Sequence, residues 1–222
     1  MKQENVQRFF NQFNEGNIAF VQGLDLKKVG DIAIQIGTWG DDRKRYPLLP
    51  NHVEAVIEVN RDKKGNVIKI KTLVADGEKV RESDFIKEHE NQLLKDEARW
   101  VVGALVDLVA IEKKTMINYW HSLNGKDYDK KAIAIIGAHE IPLLGFFLGP
   151  IVDMFLRQEK DKYICSEHVE EGIAEIKMFN GKQKYNTKKN NNEIPTPKSL
   201  FVNLTDTYQL KIIADSILMT YI

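Results

Sequence analysis

The sequence predicts an α+β protein in which an antiparallel sheet packs against helices, and three observations carry that prediction. Two runs of β-like residues, 52–59 and 67–74, flank a short polar loop that ends in Gly65-Asn66, the arrangement of a hairpin. Apolar residues recur at helical spacing near the N-terminus, through the middle of the chain and after Cys165. With 222 residues, 43% of them hydrophobic and 29% charged, the chain can bury a substantial core as one domain.

In chain order, Val6, Phe9, Phe10 and Phe13 define an amphipathic helix over residues 3 to 15, ending near Gly16. Its aromatic stripe reads as packing surface. Gly30-Asp31 opens a strand over residues 32–39, followed by a polar, proline-bearing loop to Pro50. In the next strand, strict alternation puts His52, Glu54, Val56 and Glu58 on one face and Val53, Ala55, Ile57 and Val59 on the other. A roughly symmetric hairpin then sets His52 across from residues near Val74. Asp76-Gly77 marks a turn.

From Ser83 to Trp120 the pattern reads as two helices broken between Asp96 and Trp100. The second, through Val101, Val102, Leu105, Leu108, Val109, Ile111 and Met116, is apolar enough for the core and stops near Asn124-Gly125. Residues 132–156 are the most apolar stretch. His139, Glu140, Pro142, Pro150 and Asp153 interrupt it, and each charge in hydrocarbon costs on the order of 3 kcal/mol, so short buried helices lining an apolar pocket are expected rather than a membrane span. Residues 180–192, rich in lysine and asparagine, read as a solvated loop. Alternation at Tyr208, Leu210 and Ile212 predicts a last strand.

Lys plus Arg and Asp plus Glu both number 32, so no global field favours nucleic acid or an acidic membrane. A single cysteine makes no internal disulfide, and the first residues lack the apolar core of a signal peptide, so a cytoplasmic location is expected.

That cysteine, Cys165, falls in the first turn of an amphipathic helix whose apolar or small face is Val169, Gly172, Ile173 and Ile176, with Glu167, Glu170, Glu171 and Glu175 pointing elsewhere. Unpaired N–H groups and the helix dipole favour thiolate there, although a lone cysteine is more often a small buried hydrophobe. A nucleophile also needs a base. Of five histidines, His89 and His121 lie in charged or polar helical surroundings and read as surface or satisfied residues. His139 reads as a buried structural histidine, and His168 sits on the nucleophile's own helix. His52 begins a strand beside another strand that can carry an orienting group. His168 with Glu167 and Glu171 has helical spacing compatible with a metal, but no His-Glu-x-x-His accompanies it.

These pieces resemble the circularly permuted NlpC/P60 papain-like cysteine hydrolases, the group of the YiiX- and YebB-like proteins. The resemblance rests on Gly30-Asp31-Ile32, Asn51-His52-Val53, the segments 77–85 and 123–129, the cysteine helix from Tyr163 to Val169, and Thr196-Pro197-Lys198-Ser199-Leu200. It implies a papain-like fold in which the histidine strand precedes the cysteine helix. The whole chain would be a single permuted domain, with an N-terminal helix over about 1–16 and a helical, apolar insertion over about 83–156. It further implies Cys165 as nucleophile, His52 as general base, the Cys165 N–H as an oxyanion donor, and no metal or cofactor. Tyr128 and Asp129 match a motif without a catalytic role.

The expected activity is hydrolysis of an amide or ester in a cell-wall peptide, a small amide or a lipid-like acyl substrate, through an acyl-thioester. The sequence departs from the family in one respect: the polar residue, often Glu, on the strand after the histidine strand is replaced by Val74. Thr72 or Asp76 are the nearest substitutes. The departure motivates an alternative, a catalytically impaired papain-like module that binds an apolar or lipid-like ligand.

Overall fold

The hairpin forms and supplies two inner strands of a six-stranded sheet. A computed structural model describes residues 1–23, 50–75, 78–132, 162–178, 181–187 and 195–220. The strand expected over 32–39, nearly all of the 132–156 stretch with His139, and Asp76 lie outside the described residues. The strands are β1 (Ile18–Gly23), β2 (His52–Arg61), β3 (Val67–Ala75), β4 (Val80–Asp84), β5 (Ala98–Leu105) and β8 (Leu210–Asp215), in the order β4-β3-β2-β1-β5-β8. Every neighbouring pair is antiparallel. Two short strands, β6 (Asp127–Tyr128) and β7 (Lys162–Tyr163), pair in parallel beside this sheet.

Helices cover both faces. Against one lie α1 (Gln3–Phe10) and α2 (Phe85–Leu94), where Val6, Phe9, Phe10, Phe13, Phe85 and Leu93 bury against Ala19, Val21, Val56, Ile70, Trp100 and Val102. Against the other lie α3 (Ala110–Ser122), α4 (Cys165–Ala174) and α5 (Pro197–Asp206), packed on Ile18, Phe20, Val53, Ala55, Ile57, Leu73 and Val101. Local chemistry sets the ends of these helices. The Asp84 carboxylate accepts the Lys87 N–H to start α2. Thr196 caps α5, its hydroxyl accepting the Ser199 N–H at 3.0 Å with Pro197 at the first helical position.

The alternation expected for β2 holds for Val53, Ala55 and Ile57 on one face and Val56 on the other, but the register shifts between Val56 and Glu58. An extra residue there turns Val59 to the side of Val56, as a bulge does. Before the bulge Ala55 pairs with Leu73 and Val56 with Thr72, so the register carries on to set Glu54, rather than His52, across from Val74.

Residues 98–105 are a strand and not the first half of a helix. β5 pairs with β1 on one side and β8 on the other, and it sends Trp100 and Val102 to one layer, Val101 and Leu105 to the other. A strand buried on both faces reads as a continuous apolar run, which periodicity alone confuses with a buried helix. Asp96 and Asp107, at φ of 55° and 57°, turn the chain at each end of it. The helix resumes only at Ala110. Gly172 has a specific reason on α4: a Cβ there would run into the Trp120 indole nitrogen, so α3 and α4 meet only with glycine at the crossing. Among the described residues no helix is long and apolar enough to cross a membrane.

Candidate functional site

Cys165 is the first residue of α4 and is buried at 3% exposure. Two residues earlier Tyr163, in β7, fixes the approach to the helix, and Glu167 reaches back to accept the Ile164 N–H at 2.9 Å. At the N-terminal turn the first N–H groups have no intrahelical acceptor, so they stay directed at whatever occupies the space before the helix.

His52 is the first residue of β2, and its imidazole interacts electrostatically with Cys165. Its Nε2 also lies 3.6 Å from Oε1 of Glu54, too long for a hydrogen bond but close for charges. Glu54 shares the layer of α2, whereas Cys165 belongs to the opposite one, so His52 bridges the two layers at the end of the sheet. Its side chain is 26% exposed, the point at which water reaches this group.

Electrostatics follow from these contacts. Burial alone would pull the His52 imidazole down, but its interactions with Cys165 and with the Glu54 carboxylate outweigh it and push it up to about 10. Burial would raise Glu54, at 1% exposure. The adjacent imidazoles of His89, at 2.8 Å, and His52, at 3.6 Å, instead hold it well below the usual carboxylate range.

The carboxylate beside His52 is therefore that of Glu54, two residues beyond it on the same strand. Val74 does not take part; it is buried and pairs with Arg81 across β3 and β4. Thr72 acts one step back, its hydroxyl donating to Oε2 of Glu54 at 2.6 Å. Alternation had already set Glu54 on the face of His52, so the signal was present in the spacing His52-x-Glu54. The sequence alone reads His89 as a surface or satisfied histidine. The structure sets its Nε2 2.8 Å from Oε1 of Glu54, a contact between residues 35 apart that no local pattern announces.

The other histidines fall elsewhere. His121 is exposed on α3, 3.3 Å from Glu82. His168 is fully buried, its ring nitrogens 3.3 Å from the Ile164 carbonyl oxygen and 3.0 Å from that of Leu73, tying α4 to β3. Burial pushes its ring down to about 4. It does not converge with Glu167 and Glu171 on one point: Glu167 caps the helix and Glu171 accepts the Tyr119 hydroxyl at 2.7 Å. Glu167 and Glu170 are also buried rather than solvated, Glu170 accepting the Thr187 hydroxyl at 2.6 Å. Among the described residues no cluster of three or more His, Cys, Asp or Glu side chains is placed to hold a metal ion.

Tyr128 and Asp129 line a polar cleft of about 300 Å³ with Glu78, Asp127, Lys130, Lys131 and Lys162. Asp129 is fully buried and serves the backbone: its carboxylate accepts the N–H groups of Lys131 and Ala132, and its own N–H donates to Tyr163.

The class that fold and site define is an α+β protein with a buried cysteine, a partly exposed histidine and a buried glutamate brought together at one end of an antiparallel sheet. No family model and no curated protein matches the chain.

Proposed function

We propose that this protein is a papain-like cysteine hydrolase of the permuted type, with Cys165 as nucleophile, His52 as acid and base, and Glu54 as the group that orients His52. The observation that supports the reading is the electrostatic interaction of His52 with Cys165 at the start of α4, together with a buried carboxylate that lies 3.6 Å from the imidazole and is held by Thr72 and His89. The order of elements, histidine strand before cysteine helix, agrees with it.

In this mechanism the Cys165 thiolate attacks the carbonyl carbon of an amide or ester, and the carbonyl electrons move to oxygen, where the Cys165 N–H donates. The tetrahedral intermediate collapses to an acyl-thioester. His52 gives its proton to the departing amine or alcohol, then takes one from the water that attacks the thioester, and the acid leaves as thiolate and imidazolium re-form. Glu54 keeps the imidazole turned toward sulfur and stabilises its positive form. Apolar acyl groups, small amides and cell-wall peptides are the substrate classes to test.

The experiment is to incubate the chain with activated acyl esters and small peptide amides and to weigh the protein. An acyl adduct on Cys165 that forms and decays in wild type, accumulates nowhere in Cys165→Ala and slows at least tenfold in His52→Ala is the expected outcome. No adduct with any of these compounds, together with an alkylation rate at Cys165 equal to that of a free thiol, would sink the reading.

A further inference from the structure

Two imidazoles converge on one carboxylate oxygen. Oε1 of Glu54 lies 2.8 Å from Nε2 of His89 and 3.6 Å from Nε2 of His52, while Oε2 is taken by the Thr72 hydroxyl. The nearer partner of the orienting carboxylate is thus the histidine that does not touch Cys165. His89 is itself held firmly. Its Nδ1 lies 3.1 Å from Oε1 of Gln92, one turn along α2, and its ring lies 4.7 Å from Phe85 and 4.5 Å from Trp100, centroid to centroid. Both ring nitrogens face acceptor oxygens, one of them a carboxylate's, and the Trp100 indole provides a surface that favours a cation.

We propose that His89 is a positioning residue for the Cys165–His52 pair, acting through Glu54 from the opposite layer of the sheet. It holds the carboxylate in the place where it meets His52, and as a cation it completes an alternating series of sulfur, imidazole, carboxylate and imidazole. Without that charge the buried carboxylate is left with His52 alone, the cluster carries an excess negative charge, and a negative sulfur becomes harder to form. The charged group against His89 among the described residues is Glu54. Gln92 of α2 and Trp100 of β5 are neutral, and the polar link from α1, Gln3 to Glu90, lies on the exposed side of α2.

This inference rests on the reading of Cys165 and His52 as a reactive pair, and the test separates the two. The rate of Cys165 alkylation by iodoacetamide is followed against pH in the full chain for wild type, His52→Ala, His89→Gln, His89→Lys and Gln92→Leu. His89→Gln keeps a polar side chain and removes the charge; it is expected to move the midpoint upward by about half a unit, roughly threefold less reactive sulfur on the acid side of the curve. His89→Lys restores a cation and is expected to bring the midpoint back to wild type. A side chain that merely fills space between Phe85 and Trp100 would show no such difference, so equal curves for the Gln and Lys variants overturn the proposal. If neither variant unfolds cooperatively, Gln92→Leu, at a half-buried position, decides: a curve shifted upward supports the proposal and an unmoved one overturns it. Curves that respond to His52→Ala but not to His89→Gln overturn the role of His89 alone. Curves indifferent to His52→Ala overturn the hydrolase reading and this inference with it.

Discussion

Glu54→Gln isolates the charge that Glu54 lends to His52 while keeping the shape of the side chain. The amide can still receive one of its hydrogen bonds and donate another, so Thr72 and His89 need not move far. At the observed 3.6 Å, and with an effective dielectric of about 20, the attraction between Glu54 and a charged His52 is about 5 kcal/mol, or roughly 3 pKa units. Water at the exposed quarter of His52 screens part of this, so a fall of about 2 units from the wild-type value near 10 is expected. Cys165 is the larger support of the imidazolium, so Cys165→Ala is expected to lower His52 further than Glu54→Gln does. The assay is an NMR titration of the His52 ring in the three proteins. A His52 midpoint unchanged in Glu54→Gln would refute the assignment of Glu54 as its electrostatic partner, and the orienting role with it.

Three further outcomes are expected. His168 is held neutral with its pKa near 4 against an ordinary value of 6.5, so the unfolded chain takes up its proton first as the pH falls. Its contribution is therefore lost between about pH 6.5 and 4, by up to about 3 kcal/mol, and denaturant unfolding of His168→Asn should show a flatter acid limb than wild type. Gly172→Ala would drive a methyl group into the Trp120 indole, and overpacking of this kind costs about 1–3 kcal/mol, read as a lowered Tm; an unchanged Tm would mean that α3 and α4 can separate freely. Thr72→Val removes a buried donor to a charged acceptor, so a loss of about 1–3 kcal/mol in chemical unfolding is expected, together with slower Cys165 alkylation at neutral pH.

Several parts of the site were legible because the signals are local. Val6, Phe9 and Phe10 share the buried face of α1, and Phe13, expected on the same helix, joins their cluster from beyond its end at Phe10. The β2–β3 hairpin announces itself by strand runs around a turn, with Gly65 at φ 85° where a positive value is required. Cys165 could be placed at the start of its helix from the periodicity of the residues that follow, and His52 at the start of its strand. Other parts were not legible. Val101 and Val102 are apolar whether a helix or a two-sided strand buries them, and only pairing with β1 and β8 decides for the strand. Glu167 and Glu170 look like a solvated face until the backbone of Ile164 and the hydroxyl of Thr187 are brought against them.

What the sequence determined by itself is therefore which residues can do chemistry and where each stands in its own helix or strand, since periodicity and turn chemistry act over a few residues. What only the tertiary structure decided is the company they keep. The thiol and His52 are 113 positions apart, and Glu54 meets His89 across 35 and Thr72 across 18. Burial, charge and hydrogen bonding at the site depend on those meetings, because in a low-dielectric interior a carboxylate or an imidazole takes its character from the partner that long-range folding sets beside it.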